Sequence, residues 1–75
     1  MQPLNATELY RGQCAHILAI NDPSLAARLY DMGIATGTPL QRLIDDPGGD
    51  PLVCNTPACD IALRQVDCRN IYVCL

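Results

Sequence analysis

Leu25, Leu29 and Met32 recur at i, i+4 and i+7, the spacing that places side chains on one stripe of a helix. Asp22 stands just before this run and can cap its first free backbone N–H groups. Pro23 falls at the first helical position, where a missing N–H costs nothing. Gly33 follows Met32 and can adopt the left-handed conformation that closes a helix. The pattern predicts one capped helix of about three turns, within the usual length range. Its Leu25–Leu29–Met32 stripe is expected to pack against the rest of the chain. Ala26, Arg28, Tyr30 and Asp31 are left on the outer side.

Elsewhere the apolar positions come in short extended runs. Leu4 to Arg11 is a lead-in with a short turn starting at Asn5 or Thr7. Cys14 to Ile20 is a first strand. Its alternation is imperfect, because Ile17 and Ala19 are in phase while Leu18 and Ile20 are out of it. Either both faces are partly covered or a bulge shifts the register. Gly37 turns the chain into a second strand, Thr38 to Ile44. Asp45 to Pro51 holds two prolines and two glycines, which exclude regular structure. Leu52 to Cys54 and Cys59 to Arg64 read as a hairpin around the Asn55–Ala58 loop, with Ile61 and Leu63 on one face. Gln65 to Arg69 has room for one helical turn. Asn70 to Cys74 closes the chain as a strand with Ile71 and Val73 inward and Tyr72 outward. About five short strands, with one helix between the first and second, predict a mainly β single domain over residues 1–75. Turn signals this frequent suggest a small barrel, which also closes edges that an open sheet would expose.

Composition narrows the function. The 75-residue chain has a net charge of −3, no lysine, and no Phe or Trp. Its five basic residues are arginines spread along the sequence. Nucleic-acid binding calls for a basic stripe, so that class is excluded. No apolar run approaches the ~20 residues that cross a bilayer, and the first residues lack the basic and apolar regions of a secretory signal. A cytoplasmic protein is expected. The five cysteines (Cys14, Cys54, Cys59, Cys68 and Cys74) are an odd number and cannot all pair within one chain. In a reducing compartment they act as small apolar residues.

Candidate chemistry is sparse. Gly33 and Gly37 follow a helix instead of preceding one, whereas a phosphate cradle needs the helix N-terminus. Cys14 and His16 share one face of a strand, but closed zinc sites take four ligands. Cys54 and Cys59 flank the predicted hairpin loop. Facing each other there, they would supply two soft ligands or bridge on oxidation. They are the weak metal candidates. Asp45, Asp46 and Asp50 cluster in the long turn, where three carboxylates can collect a divalent ion weakly; such a run is more often a solvated loop. Cys74, next to the end, is expected to be exposed. No Ser or Cys nucleophile has a local motif around His16, so a Cys–His catalytic pair would arise only by accident of folding.

Several segments are similar, in order, to the ferrous iron transport protein A (FeoA) family. They are Gly12-Gln13, Arg28-Leu29-Tyr30-Asp31-Met32-Gly33-Ile34 with Gly37-Thr38, Gly49-Asp50-Pro51-Leu52, Ile61-Ala62-Leu63-Arg64 and Ile71-Tyr72-Val73. The resemblance implies an SH3-like β-barrel with a helical insertion. It implies a non-enzymatic cytoplasmic accessory of the FeoB-type ferrous iron permease, reaching the membrane only through that partner. No cofactor is required, weak Fe2+ binding is compatible, and a homo-oligomer is allowed. Arg28, Tyr30, Asp31, Ile34 and Thr36 are the candidate docking residues, since exposed Arg and Tyr are common interface anchors. The chain departs from the family in its cysteines and in lacking lysine. Two other readings stay open: a cysteine-based metal-binding or redox-sensing protein, and a free-standing SH3-like domain related to iron-dependent repressors.

Overall fold

In the computed structural model, which describes residues 4–44 and 50–75, one antiparallel sheet carries the chain. Its strands are β1 (Leu4–Asn5), β2 (Cys14–Ile20), β3 (Pro39–Arg42), β4 (Leu52–Asn55), β5 (Asp60–Leu63) and β6 (Ile71–Cys74). They lie in the order β1-β6-β2-β3-β4-β5. The principal helix, α1 (Pro23–Asp31), is inserted between β2 and β3, and a single turn, α2 (Gln65–Cys68), precedes β6. The architecture is the expected small, mainly β domain with one inserted helix. Among the described residues the strands number six, not five. The additional strand is β1, two residues long, which pairs Leu4 with Val73 and Asn5 with Tyr72. The sequence marks it only as a lead-in, because two residues cannot show an alternating pattern. The turn beyond it is a 3-10 turn, Ala6–Glu8, whose Thr7 N–H donates to the Asn5 side chain.

The uneven pattern of β2 is a bulge. Pairing with β6 runs His16 to Cys74 and Ile17 to Val73, then slips so that Ala19 faces Tyr72 and Ile20 faces Ile71. Ala15 and Ile17 therefore point into the core, Leu18 and Ala19 are exposed, and Ile20 packs against the core from the edge. β3 is shorter than the Thr38–Ile44 run. Pro39 to Arg42 are strand, and beyond them the Leu43 N–H donates to the Val53 carbonyl.

α1 begins as its sequence dictates, with the Asp22 carboxylate accepting from the N–H groups of Ser24 at 3.0 Å and Leu25 at 3.2 Å. Its exit corrects the predicted stripe. Met32 is the C-cap and is 43 % exposed. Gly33, at φ +83°, turns the chain over. The Gly33 N–H then donates to the Tyr30 carbonyl and the Ile34 N–H to the Leu29 carbonyl. These two bonds make a Schellman closure, in which the residue after the glycine folds back onto the last turn of the helix. Ile34 thereby takes the inward place that extrapolated periodicity gave to Met32. Leu25, Leu29 and Ile34 are all buried with the inward residues of β2 to β6. Each such side chain stabilises by roughly 1.5–3 kcal/mol on burial.

Candidate functional site

The residues singled out for docking separate into two groups. Arg28, Tyr30 and Asp31 on α1, and Thr36 in the loop beyond it, are exposed, and Tyr30 is 73 % exposed. Ile34 is only 2 % exposed. A docking anchor must be reachable, so the structure removes Ile34 from that surface and gives it to the core. The exposed four do not form one face either. Arg28 and Tyr30 are two residues apart, about 200° around a helix. Arg28, Asp31 and Met32 share one side at i, i+3 and i+4, whereas Tyr30 looks away from them.

Arg28 leans toward α2. Its Nη2 lies 3.9 Å from Oδ1 of Asp67, and Nε of Arg64 lies 3.5 Å from Oδ2 of the same carboxylate. Both guanidinium groups are mostly exposed, so these pairs add little stability. They do line up two cations beside one anion. Between α1 and β5 this side opens into a groove of about 290 Å³, lined in part by Leu29, Met32, Leu63 and Asp67. Sequence reasoning missed this groove. Alternation put Ile61 and Leu63 on one face, but nothing local says that β5 ends the sheet.

The cysteines are dispersed. The hairpin forms in a register different from the one that would make Cys54 and Cys59 face each other: Cys54 pairs with Ile61 and Asn55 with Asp60. Thr56 sets this register. Its N–H and hydroxyl both donate to the Cys59 carbonyl, while its hydroxyl oxygen accepts from the N–H groups of Ala58 and Cys59. The turn is thus Thr56 to Cys59, and Cys59 belongs to it. Cys54 and Cys68 are buried, Cys59 is half-buried, and Cys14 and Cys74 are exposed. Burial pushes the Cys68 thiol up to about 12, aided by nearby Cys54, Asp67 and Asp50. Its Sγ points at the Leu63 carbonyl, 4.0 Å away.

Of the turn carboxylates, Asp45 and Asp46 lie outside the described residues. Asp50 accepts from the Gln65 N–H at 3.1 Å and so helps to start α2. The exposed Cys14–His16 pair gains a neighbour that sequence did not reveal, since His16 is the cross-strand partner of Cys74. Even so, no three His, Cys, Asp or Glu side chains come together to hold a metal ion among the described residues.

Reactivity should follow exposure. Brief treatment of the native protein with N-ethylmaleimide is expected to label Cys14 and Cys74 first and Cys59 more slowly. Cys54 and Cys68 should react only after denaturation. Mass spectrometry of digested protein reads this directly, and labelling of Cys68 as fast as Cys74 would contradict the burial described.

Residues 4–74 match the sequence model of the FeoA domain family. No curated protein matches the chain. Among solved structures the chain is similar to the FeoA protein of Chlorobium tepidum at 27% identity, over 96% of this chain and 70% of that one, with a TM-score of 0.84. It is also similar to FeoA of Stenotrophomonas maltophilia, described as an SH3 domain protein and complexed with zinc. That likeness has 24% identity over 93% of this chain and 88% of that one, with a TM-score of 0.79. A manganese-dependent transcriptional repressor shares the fold at 14% identity and a TM-score of 0.79, over 99% of this chain and 43% of that one.

Proposed function

Because the chain belongs to the FeoA domain family, we propose that it is a small accessory of ferrous iron uptake that binds and modulates a FeoB-type permease. The observation that carries this reading is the family match over residues 4–74, which takes in α1 and every strand. Docking would place the protein against the cytoplasmic part of the permease. Among the described residues no helix is long and apolar enough to cross a membrane, so in this reading the chain meets the bilayer through its partner. It carries out no catalytic step and needs no metal to dock.

Tyr30, with Thr36 beyond the helix exit, and Arg28, with Asp31 on the neighbouring side, are the contacts this reading assigns. An exposed aromatic at the end of a rigid helix loses little conformational freedom when covered, which suits an anchor. The test is a pull-down against the isolated cytoplasmic part of the permease with Tyr30→Ala and Arg28→Glu. An anchor lost from an interface costs about 2 kcal/mol or more, a drop of roughly thirtyfold. Neither side chain is buried, so both variants should melt as wild type does. Wild-type retention by both variants would move the docking surface elsewhere. Failure of the wild-type protein to bind would remove the reading itself.

A further inference from the structure

We infer that His16 and Cys74 form an exposed two-ligand site for a soft monovalent metal ion, Cu(I). The inference is independent of the docking reading above. His16 and Cys74 are direct partners across β2 and β6, and both are exposed. Their neighbours Ala15, Ile17 and Val73 are buried in the core. Alternation along each strand then places the imidazole and the thiol together on the outer side of the sheet. The backbone under them is held from both sides. Val73, next to Cys74, pairs with Leu4 on one side and Ile17 on the other, and His16 pairs with both Cys74 and Pro39. Ligands carried on paired strands keep their separation more closely than ligands on loops.

Distance sets the number of ligands, and the number selects the ion. Side chains directly opposite in an antiparallel pair have Cβ atoms about 4.5–5.5 Å apart. A sulfur and a ring nitrogen on such carbons can hold one ion between them, at the usual ~2.0–2.3 Å from each. Cys14 is exposed on the same face, but it lies two residues along β2 and diagonal to Cys74, about 7–8 Å off. Among the described residues no three His, Cys, Asp or Glu side chains come together to hold a metal ion. A closed zinc site, with four ligands, is therefore beyond what one copy supplies. Cu(I) is a soft ion with a filled d shell, suited to thiolate and imidazole, and two donors in line satisfy it. The residues facing this corner from β3, Pro39 opposite His16 and Gln41 opposite Cys14, carry no charge. Binding exchanges a proton for the metal: Cys74 coordinates as the thiolate, its proton goes to the buffer, and copper stays Cu(I).

The probe is Cu(I) itself, added anaerobically as its acetonitrile complex to the reduced, 15N-labelled full chain. The first equivalent should bring up a thiolate-to-copper absorption band in the ultraviolet. Amide shifts should concentrate on the His16 end of β2 and on Val73 and Cys74. Back-titration with the chelator bicinchoninate then ranks affinities. Cys74→Ser and His16→Ala should each weaken the first equivalent at least about tenfold, since losing a mere support of a metal ligand already costs that much. Both positions are exposed, so both variants should stay folded, and their amide spectra check this. Cys14→Ser should leave the first equivalent unchanged. Bound Cu(I) should also slow N-ethylmaleimide labelling of Cys74 while Cys14 keeps its rate. Undiminished affinity in Cys74→Ser or in His16→Ala would overturn the proposal, as would a loss in Cys14→Ser equal to that in Cys74→Ser. So would a copper-bridged dimer in sedimentation at one equivalent, which would divide the ligands between two copies. Zn2+ bound to the monomer as tightly as Cu(I) would overturn the choice of ion.

Discussion

Ile34→Ala should unfold a large part of the protein under conditions where Met32→Ala leaves it folded. Ile34 is 2 % exposed and Met32 43 %, although the helical repeat assigns Met32 to the core. Truncating a buried isoleucine removes its transfer free energy and leaves a cavity, together about 2–5 kcal/mol. A core this small stabilises by only ~3–5 kcal/mol, so the loss is comparable with the whole. Truncating a half-exposed side chain outside such a feature changes stability by no more than about 0.5 kcal/mol. Urea titrations followed by circular dichroism would show the difference as a collapsed midpoint for Ile34→Ala and a nearly unchanged one for Met32→Ala. Similar midpoints for the two would mean that the helix exit is not closed as described.

The second large effect lies at high pH. Cys68 titrates near 9.0 when free and at about 12 when folded, because burial opposes the thiolate. Its folded value is raised, so below pH 9 both states hold the proton and its contribution is complete. Between pH 9 and 12 only the unfolded chain gives the proton up, and stability falls as pH rises. Over the whole window the loss is on the order of 4 kcal/mol. Wild type should therefore lose its folded signal across this range. Cys68→Ala keeps a small apolar group and has nothing to ionise, so it should show a shallower slope whatever its stability at neutral pH. Every other side chain is shared by the two proteins, so the difference between the two curves isolates Cys68. Parallel curves would refute the assignment.

Much of the fold could be read because its signals are local. Asp22, Pro23 and Gly33 mark α1 by capping chemistry that needs no knowledge of the sheet. The mixed phase of Cys14–Ile20 allowed either two covered faces or a bulge, and the structure has the bulge. What failed to show depends on distant neighbours. β1 exists as a strand only because β6 is beside it. Ile34 is buried because a Schellman closure folds it back, an event that periodicity cannot extrapolate through. The Cys54–Cys59 pairing failed for a local reason of another kind, since the Thr56 hydroxyl claims the Cys59 backbone and shortens the turn. At the candidate site, exposure of Arg28, Tyr30 and Asp31 followed from the helical pattern. The groove did not, because an edge strand is defined by what is missing beside it.

The place of β6 has a consequence for how the chain must be made. It lies between β1 and β2, the first two strands in chain order, and it is itself the last. Until β6 has formed, β1 has no partner and β2 is held only along its β3 side. Pairings so distant in sequence are slow to form, because the closure entropy of the intervening chain must be met first. While the chain is still emerging from a ribosome, α1 and the β3–β4–β5 meander can already draw together. The barrel's first strands must wait for β6, so their pairing completes only once that strand has been made.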